Sequence, residues 1–295
     1  MSAVERIKSL GFWKGAVAPQ PLKGGLSNES FTVEDAGVKY VVRLGRNFPM
    51  HHVFRDRERE VSAAAFAAGF APELVHAEPG LMVFAYIDGH TFAEADVQAN
   101  IGRIASLVHG YHTAMPKHVR GPAALFWVFH VIRDYARTLE EGGSRMRAHL
   151  SDYLALAEQF EAAQVSLPIV FGHNDLLPAN FIDDGARLWL IDYEYAAFST
   201  AMFDLAGIAS NALFSPDQDI ELLAAYFGRG PEPALVQSHA AMKCASLLRE
   251  AMWSMVSEIH LDTPGVDYVA YTAENLARFE AALDSYRSRF GKASA

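Results

Sequence analysis

The chain has 295 residues, of which 51% are hydrophobic, so it can bury a substantial core in one large domain or in two lobes. Its formal net charge of −10 disfavours binding to nucleic acid or to anionic lipid. Cys244 is the only cysteine, which excludes an internal disulfide and a thiolate metal cluster. The chain has neither a run of 18 apolar residues nor a signal-peptide core, so we expect a soluble cytoplasmic protein without membrane partners.

The N-terminal part of the chain predicts a small antiparallel sheet with one helix. An Ala-rich helix is predicted from Phe54 to Ala68, and Gly69 ends it. Apolar residues cluster or alternate between Gly and Asp breaks in five short predicted strands, residues 16–21, 30–34, 38–44, 73–77 and 81–86, with Asp35-Ala36-Gly37 as a hairpin turn. A Gly-bearing turn at Ile87-Asp88-Gly89 follows, so we place an N-terminal lobe at residues 1–88 and a second lobe at residues 89–295.

The second lobe is predicted to be mostly helical. Its apolar residues recur at helical spacing in five segments, residues 92–114, 125–141, 146–163, 200–228 and 234–290. A predicted β-hairpin, residues 181–192, interrupts them around an Asp-Asp-Gly turn. The fold class is therefore α+β, with a small sheet followed by a larger helical lobe. His51-His52, in the loop after the third strand, is expected to be exposed to solvent.

Residues 173–194 carry an ordered set of polar side chains typical of phosphoryl transfer. Asp175 and Asn180 are five apart, as in the kinase catalytic loop, where the Asp accepts the hydroxyl proton and the Asn reaches Mg²⁺. Asp192 ends the predicted hairpin at the position of the metal-binding Asp, and Glu194 adds a second carboxylate. Turn formation is the alternative explanation for any one of these residues, but the ordered set favours catalysis.

Three other features are ambiguous when taken alone. The segment 24–28 has glycines that would let backbone amides approach phosphates, or it is an ordinary tight turn. Arg43 borders a cleft or is a solvated strand residue. Trp253, Tyr268 and Tyr271, with Tyr195, form an aromatic wall for a quaternary ammonium, or they pack in the core.

The stretch GHNDLLPANF, followed by LIDYEYAAFSTAMFDLA, resembles the choline/ethanolamine kinase branch of the aminoglycoside-phosphotransferase-like kinases. The family pattern is H-N-D-x-x-x-x-N, then I-D-[FWY]-E-Y, then F-D-[IL]-A. The similarity extends through GGLSNESF, VVRLG and VFAYIDG near the N-terminus to REAMWSMVSEIH near the C-terminus. It implies a protein-kinase-like two-lobed fold that transfers the γ-phosphate of Mg²⁺-bound ATP to a small amino alcohol, choline or ethanolamine first.

The resemblance also assigns individual residues. It implies Asp175 as the catalytic base with His173 ordering the loop, and it leaves open whether Glu58 or Glu60 pairs with Arg43. The implied metal ligands are Asn180, Asp192 and Glu194. The implied nucleotide site comprises Gly24, Gly25, Ser27, Asn28, Arg43, Glu58, Ala85 and Ile87. The implied substrate pocket comprises Tyr195, Asn211, Glu250, Trp253, Tyr268 and Tyr271.

Two residues depart from the choline kinase pattern. Glu250 stands where these kinases tend to have a second Trp, and Asn211 where they tend to have an acid. A carboxylate at position 250 can still hold a cation, and it favours a primary amine rather than a trimethylammonium. An aminoglycoside, thiamine or homoserine therefore stays open as the acceptor. A catalytically silent nucleotide-binding module is the alternative function of another class. The oligomeric state also stays open, and a homodimer is one possibility.

Overall fold

A five-stranded antiparallel sheet and two helices make up the N-terminal part of the computed structural model, which describes residues 1–22, 28–263 and 265–291. The predicted nucleotide-site residues Gly24, Gly25 and Ser27 lie outside the described residues. The elements of this part are α1 (Ala3–Lys8), β1 (Gln20–Leu22), β2 (Glu29–Asp35), β3 (Val38–Leu44), α2 (Arg55–Ala67), β4 (Leu74–Glu78) and β5 (Leu81–Ala85). The strands lie in the spatial order β1-β2-β3-β5-β4.

Local sequence signals explain most of these elements. Ala36 and Gly37 join β2 to β3 with φ of 51° and 80°, the positive values that a tight hairpin turn of this kind requires. Gly69, with φ of 85°, follows α2 as its left-handed cap. Helix α1 was not predicted, although Ser2 and Glu5 form a capping box at its start. Its buried Ile7 packs with the apolar face of the sheet.

The rest of the chain is mostly helical, as predicted. Its elements are β6 (His90–Thr91), α3 (Glu94–Ala99), α4 (Ile101–Ala114), α5 (Val128–Glu141), α6 (Leu150–Ala162), β7 (Ile169–Gly172), β8 (Phe181–Asp183), β9 (Leu188–Leu190), β10 (Ala197–Thr200), α7 (Ala201–Asn211), α8 (Pro216–Phe227), α9 (Pro233–His260) and α10 (Tyr268–Phe290). Helix α9 packs against α5, α6, α7 and α10, and most of its residues between Ser238 and Ser257 are buried. None of the described helices is long and apolar enough to cross a bilayer.

The predicted helical segments are broken more often than expected. Residues 92–114 form two helices because Asn100 leaves the helical conformation and turns its side chain back to the Asp96 carbonyl oxygen, at 2.8 Å. Residues 200–228 also divide, since Ser215 and Gln218 form a capping box that begins α8 with Pro216 at its first turn. Residues 234–290 divide between α9 and α10, and Asp267 caps the second helix.

Three short strand pairings bring the polar motif together. The predicted hairpin is confirmed as β8 and β9, and β6 pairs with the outer side of β8. Strands β7 and β10, which the sequence analysis did not predict, pair antiparallel. The loop of residues 173–180 therefore leaves the β7–β10 pair where the loop of residues 191–196 enters it. The two segments of the motif become neighbours through this pairing.

Candidate active site

The loop after β7 has a fixed backbone geometry around Asp175 and Asn180. Pro178 begins a short 3₁₀ turn, Pro178–Asn180, and the Asn180 side-chain amide donates to the backbone oxygen of Asp175 at 2.8 Å. The backbone N–H of Leu177 donates to the same oxygen at 3.0 Å. The five-residue spacing thus closes a small ring that sets the direction of both side chains.

Asp204, at the start of α7, holds the first part of this loop. Its carboxylate accepts the backbone N–H groups of His173 at 2.7 Å and Asn174 at 2.6 Å, and it lies 2.8 Å from Nε2 of His112. Asn174 has a φ of 62°, a conformation that needs such support. Burial opposes ionisation of Asp204, but the bonds from His112 and His173 outweigh it and lower the pKa of Asp204.

His173 joins the loop to the segment that carries Asp192. Its side chain is fully buried, and Nε2 donates to the backbone oxygen of Ile191 at 2.9 Å. Burial lowers the pKa of His173. A neutral, buried imidazole bonded to the Ile191 carbonyl holds the two loops together.

An ion-pair network of three acids and two arginines connects the sheet, α2 and the β9–β10 loop. Arg43 on β3 lies 3.2 Å from Glu58 and 2.7 Å from Asp192. Glu58 is fully buried on α2, so it is the partner of Arg43, whereas Glu60 is exposed. Arg55, which the sequence analysis missed, contacts Glu58 and lies 2.8 Å from Glu194. Its position three residues before Glu58, within one helix, was the available signal.

This network borders a cleft of about 340 Å³ between the sheet and the catalytic hairpin. The cleft lining includes six of the residues implied by the family resemblance: Asn28, Arg43, Ala85, Ile87, Asn180 and Asp192. Asn28 also donates to Glu194 at 3.2 Å. The cleft therefore has an apolar wall from β5 and the following turn, and a charged end at Arg43 and Asp192.

The charged end has the ligand types that suit Mg²⁺. Asn180 uses its amide nitrogen on Asp175, which leaves its carbonyl oxygen available beside the Asp192 carboxylate in the cleft lining. Across residues 1–22, 28–263 and 265–291, no three His, Cys, Asp or Glu side chains converge to hold a metal alone. Mg²⁺ usually takes one or two carboxylates and completes its shell with phosphate and water, so this set fits a nucleotide-bound ion.

Asp175 lies on the other side of the loop, in a smaller cavity. Asn211, Arg249 and Glu250 line this cavity with it. Burial raises the pKa of Asp175 well above its ordinary value; Arg249 opposes the rise, and the carboxylates of Asp192 and Glu194 add to it. A carboxylate with a raised pKa is a stronger base than an ordinary aspartate.

Four predicted substrate residues meet beside this cavity. Trp253 donates from Nε1 to the Tyr195 hydroxyl at 2.9 Å, and its ring makes edge contacts with Tyr268 and Tyr271 at centroid distances of 6.3 and 6.2 Å. The Tyr271 hydroxyl donates to Glu250 at 3.0 Å. Asn211 lies on the opposite wall, where its amide approaches the Leu176 carbonyl at 3.4 Å. Glu250 and Asn211 thus line the cavity beside Asp175, and the buried aromatic rings pack behind Glu250.

His51 completes the aromatic wall, and the expectation that it is exposed was wrong. It is 2% exposed and stacks on Trp253 with a centroid distance of 4.7 Å. Its Nε2 lies 3.1 Å from the Ser257 hydroxyl on α9. Burial lowers the pKa of His51 to about 3, so the ring is neutral. Nothing in the sequence near His51 indicated a partner 206 positions away.

Comparisons with known proteins place this geometry in a family. The sequence model of choline/ethanolamine kinase matches residues 20–212. The chain belongs to the choline/ethanolamine kinase family. It is 25% identical to the protein LicA of Haemophilus influenzae over 88% of this chain and 77% of that protein.

Solved structures of similar proteins have the same fold as this chain. The structure of a choline/ethanolamine kinase family protein from Mesorhizobium loti is similar with a TM-score of 0.78 and 26% identity, and it covers 96% of this chain and 94% of that one. The choline kinase LicA from Streptococcus pneumoniae shares the fold with a TM-score of 0.73 at 21% identity, over 91% of this chain and 94% of that one. The predictions of the family and of the kinase-like fold are therefore confirmed, and this ATP-using family member is a phosphotransferase with an alcohol acceptor. A silent module is not supported.

Proposed function

We propose that this family member transfers the γ-phosphate of Mg²⁺-bound ATP to the hydroxyl of choline or ethanolamine. The observation that carries the proposal is the position of the loop 175–180 between two cavities. Asn180 and Asp192 line the larger cleft, and Asp175 lines the smaller one, while a hydrogen bond joins Asn180 to the Asp175 backbone. Nucleotide and acceptor would therefore approach the loop from opposite sides, as an in-line transfer requires.

In this proposal each residue of the loop has one task. The acceptor hydroxyl donates its proton to the Asp175 carboxylate while its oxygen forms a bond to the γ-phosphorus, and the bond from that phosphorus to the ADP oxygen breaks. Arg43, held by Glu58, places a positive charge on the phosphates. Asn180 and Asp192 would hold Mg²⁺, which neutralises the developing phosphate charge when bound. Glu194, which pairs with Arg55, would support the ion from a second position.

Three features of the acceptor pocket support an amino alcohol. Glu250 provides a carboxylate for an ammonium in the cavity wall, Trp253 and Tyr271 pack as aromatic rings behind it, and the cavity is small. The names of the similar proteins, choline/ethanolamine kinase and choline kinase, agree with this chemistry. The lobe boundary at residue 88, the cytoplasmic location and a homodimer stay predictions.

An acceptor panel tests the proposal. The protein is mixed with ATP and Mg²⁺, and ADP release is measured with choline, ethanolamine, homoserine, thiamine and an aminoglycoside in turn. We expect turnover with choline or ethanolamine and a loss of turnover when Mg²⁺ is chelated. Turnover with another alcohol of the panel, and none with these two, would overturn the acceptor assignment while leaving the reaction type in place.

A further inference from the structure

Arg249 places a cation of the protein itself in the wall of the proposed acceptor cavity beside Asp175. The guanidinium carbon of Arg249 lies 4.5 Å from the ring centroid of Tyr195 and 5.8 Å from that of Phe126. Both distances are within the range of a cation–π contact. Arg249 is only 4% exposed, and its guanidinium stays protonated at any relevant pH. One face of Tyr195, a predicted substrate residue, is therefore covered by a resident positive charge.

Arg249 also engages the acid that would otherwise attract a substrate cation. Its Nη1 donates to one carboxylate oxygen of Glu250 at 2.9 Å, and the Tyr271 hydroxyl donates to the other oxygen at 3.0 Å. The Glu250 charge is thus balanced within the protein. The positive charge of Arg249 also acts on Asp175 and on the buried Tyr135 hydroxyl, so its stacked position is stabilised by these groups together with Glu250 and the aromatic rings.

The second aromatic surface of the pocket is covered as well. His51 stacks on one face of Trp253 with an interplanar angle of 29°, and its Nε2 is held by Ser257. Tyr268 and Tyr271 meet Trp253 edge-on. A quaternary ammonium has no N–H group and relies on open aromatic faces, because cation–π attraction is its main specific interaction. Here Arg249 lies over one face of Tyr195, His51 stacks on one face of Trp253, and both rings are buried.

We infer that Arg249 is a specificity-determining residue, which disfavours quaternary ammonium acceptors and makes a primary ammonium alcohol, as in ethanolamine, the preferred substrate. The inference rests on the proposed amino alcohol kinase activity. A primary ammonium has three N–H donors, and each carboxylate oxygen of Glu250 has a second lone pair to accept one. A trimethylammonium has to share the Tyr195 face with a like charge, which is unfavourable in a buried site.

Two variants of one residue test the inference through the ratio of kcat/KM for choline to that for ethanolamine. Arg249→Met removes the charge and keeps an apolar side chain, and we expect this ratio to rise about tenfold, the scale of one desolvated cation–π contact. Arg249→Lys keeps the charge and should leave the ratio within about twofold of the wild type. Arg229→Met, which removes an exposed positive charge from a distant surface, controls for the change in net charge.

An unchanged ratio in Arg249→Met, with a normal melting temperature, would overturn the inference, as would a wild-type protein that prefers choline. Failure of the proposed function looks different, since the wild type would then turn over neither alcohol.

Calorimetry keeps the inference testable without turnover or a folded Met variant. Ethylammonium and tetramethylammonium chloride are titrated into the wild type and into Arg249→Lys. We expect ethylammonium to bind both proteins more tightly than tetramethylammonium by about tenfold. Equal or tighter binding of tetramethylammonium to the wild type contradicts the assignment of Arg249 whatever the enzyme phosphorylates.

Discussion

The nucleotide cleft and the acceptor pocket are built in opposite ways. In the cleft, the charges come from separate elements of the chain: Arg43 from β3, Glu58 from α2 and Asp192 from the loop after β9. The acceptor pocket takes its central residues from one helix, since Arg249, Glu250 and Trp253 all lie on α9. The cleft thus depends on how distant elements meet, whereas the pocket can change by substitution along a single helix.

This difference indicates where selectivity resides. The cleft residues Asn180 and Asp192, which we propose to serve the nucleotide, stand at positions of the kinase pattern. The pocket departs from that pattern at Glu250 and Asn211 and contains Arg249. Variants of the two regions should therefore separate into effects on ATP and effects on the acceptor, with the loop between them affecting both.

The largest expected effect falls on the shared loop. Asp175→Asn keeps the size of the side chain but removes the base, so we expect kcat to fall by about 10²–10⁴. Nucleotide affinity, measured by titration of a nonhydrolysable ATP analogue, should stay within about twofold, because Asp175 lies outside the cleft lining. A variant with nearly full kcat would show that the proton is accepted elsewhere.

Asp204→Asn should be the next most damaging change. The Asp204 carboxylate accepts two backbone N–H groups of the loop, and an amide would turn an N–H donor towards one of them. A loop displaced by about 1 Å costs on the order of 10²-fold in kcat, and a broken buried network costs about 3 kcal/mol of stability.

Asp219→Asn is the matched control for this change. It breaks the buried pair with Lys243, at 2.9 Å, away from the loop. Steady-state kinetics and urea unfolding should show a stability loss in both variants but the kcat loss in Asp204→Asn alone. Equal kcat losses would mean that general destabilisation, rather than loop geometry, explains the effect.

The same carboxylate predicts a pH dependence. The pKa of Asp204 is lower in the folded protein than in the unfolded chain, where it is about 3.9. The stabilisation by Asp204 is therefore fully present above this pH and is lost as pH falls through the folded-state value. We expect the difference in unfolding free energy between the wild type and Asp204→Asn to shrink as the pH falls below about 3.9. A difference that does not shrink contradicts this assignment.

Most of the catalytic loop could be predicted from sequence because its chemistry is local. Asp175, Asn180 and Asp192 occur in a fixed order within 18 positions, and the hairpin between them follows from alternating apolar residues and an Asp-Gly turn. The fold class followed from periodicity for the same reason. The breaks near Asn100 and Ser215 were not predicted, because apolar residues continue at helical spacing on either side of each.

Contacts between residues that are far apart in the sequence could not be predicted in this way. His51 reaches Trp253 and Ser257 only because the loop after β3 packs on α9, and neither sequence neighbourhood encodes that meeting. Arg249 presents a similar case. In sequence it is one charged residue on a helix, and its place over Tyr195 depends on where the β9–β10 loop lies. Burial, rather than residue type, gives both residues their importance.

A test confined to the cleft is Glu58→Gln. Glu58 orients both arginines, so its neutralisation should leave Arg43 less fixed and raise KM for ATP about tenfold, with KM for the acceptor little changed. Glu60→Gln is the control, because Glu60 is exposed on the same helix only two positions away. The separation of the two regions would be contradicted if Glu58→Gln raised KM for the acceptor as much as KM for ATP.

The smallest expected effect is confined to the pocket. Tyr271→Phe removes the hydroxyl that donates to Glu250 and leaves the ring against Trp253, so the carboxylate loses one of its two fixed donors. A hydrogen bond of this kind contributes about 1 kcal/mol, which corresponds to about a fivefold rise in KM for ethanolamine, with KM for ATP unchanged.

Tyr268→Phe is the comparison for this change, since the Tyr268 hydroxyl donates to Thr263 instead of Glu250 at a similar ring distance from Trp253. It should raise KM for ethanolamine less than Tyr271→Phe does. If the two variants behave alike, the aromatic surface rather than the Tyr271–Glu250 bond controls the acceptor. The acid would then act mainly as the counter-ion of Arg249, and the pocket would recognise its substrate by shape.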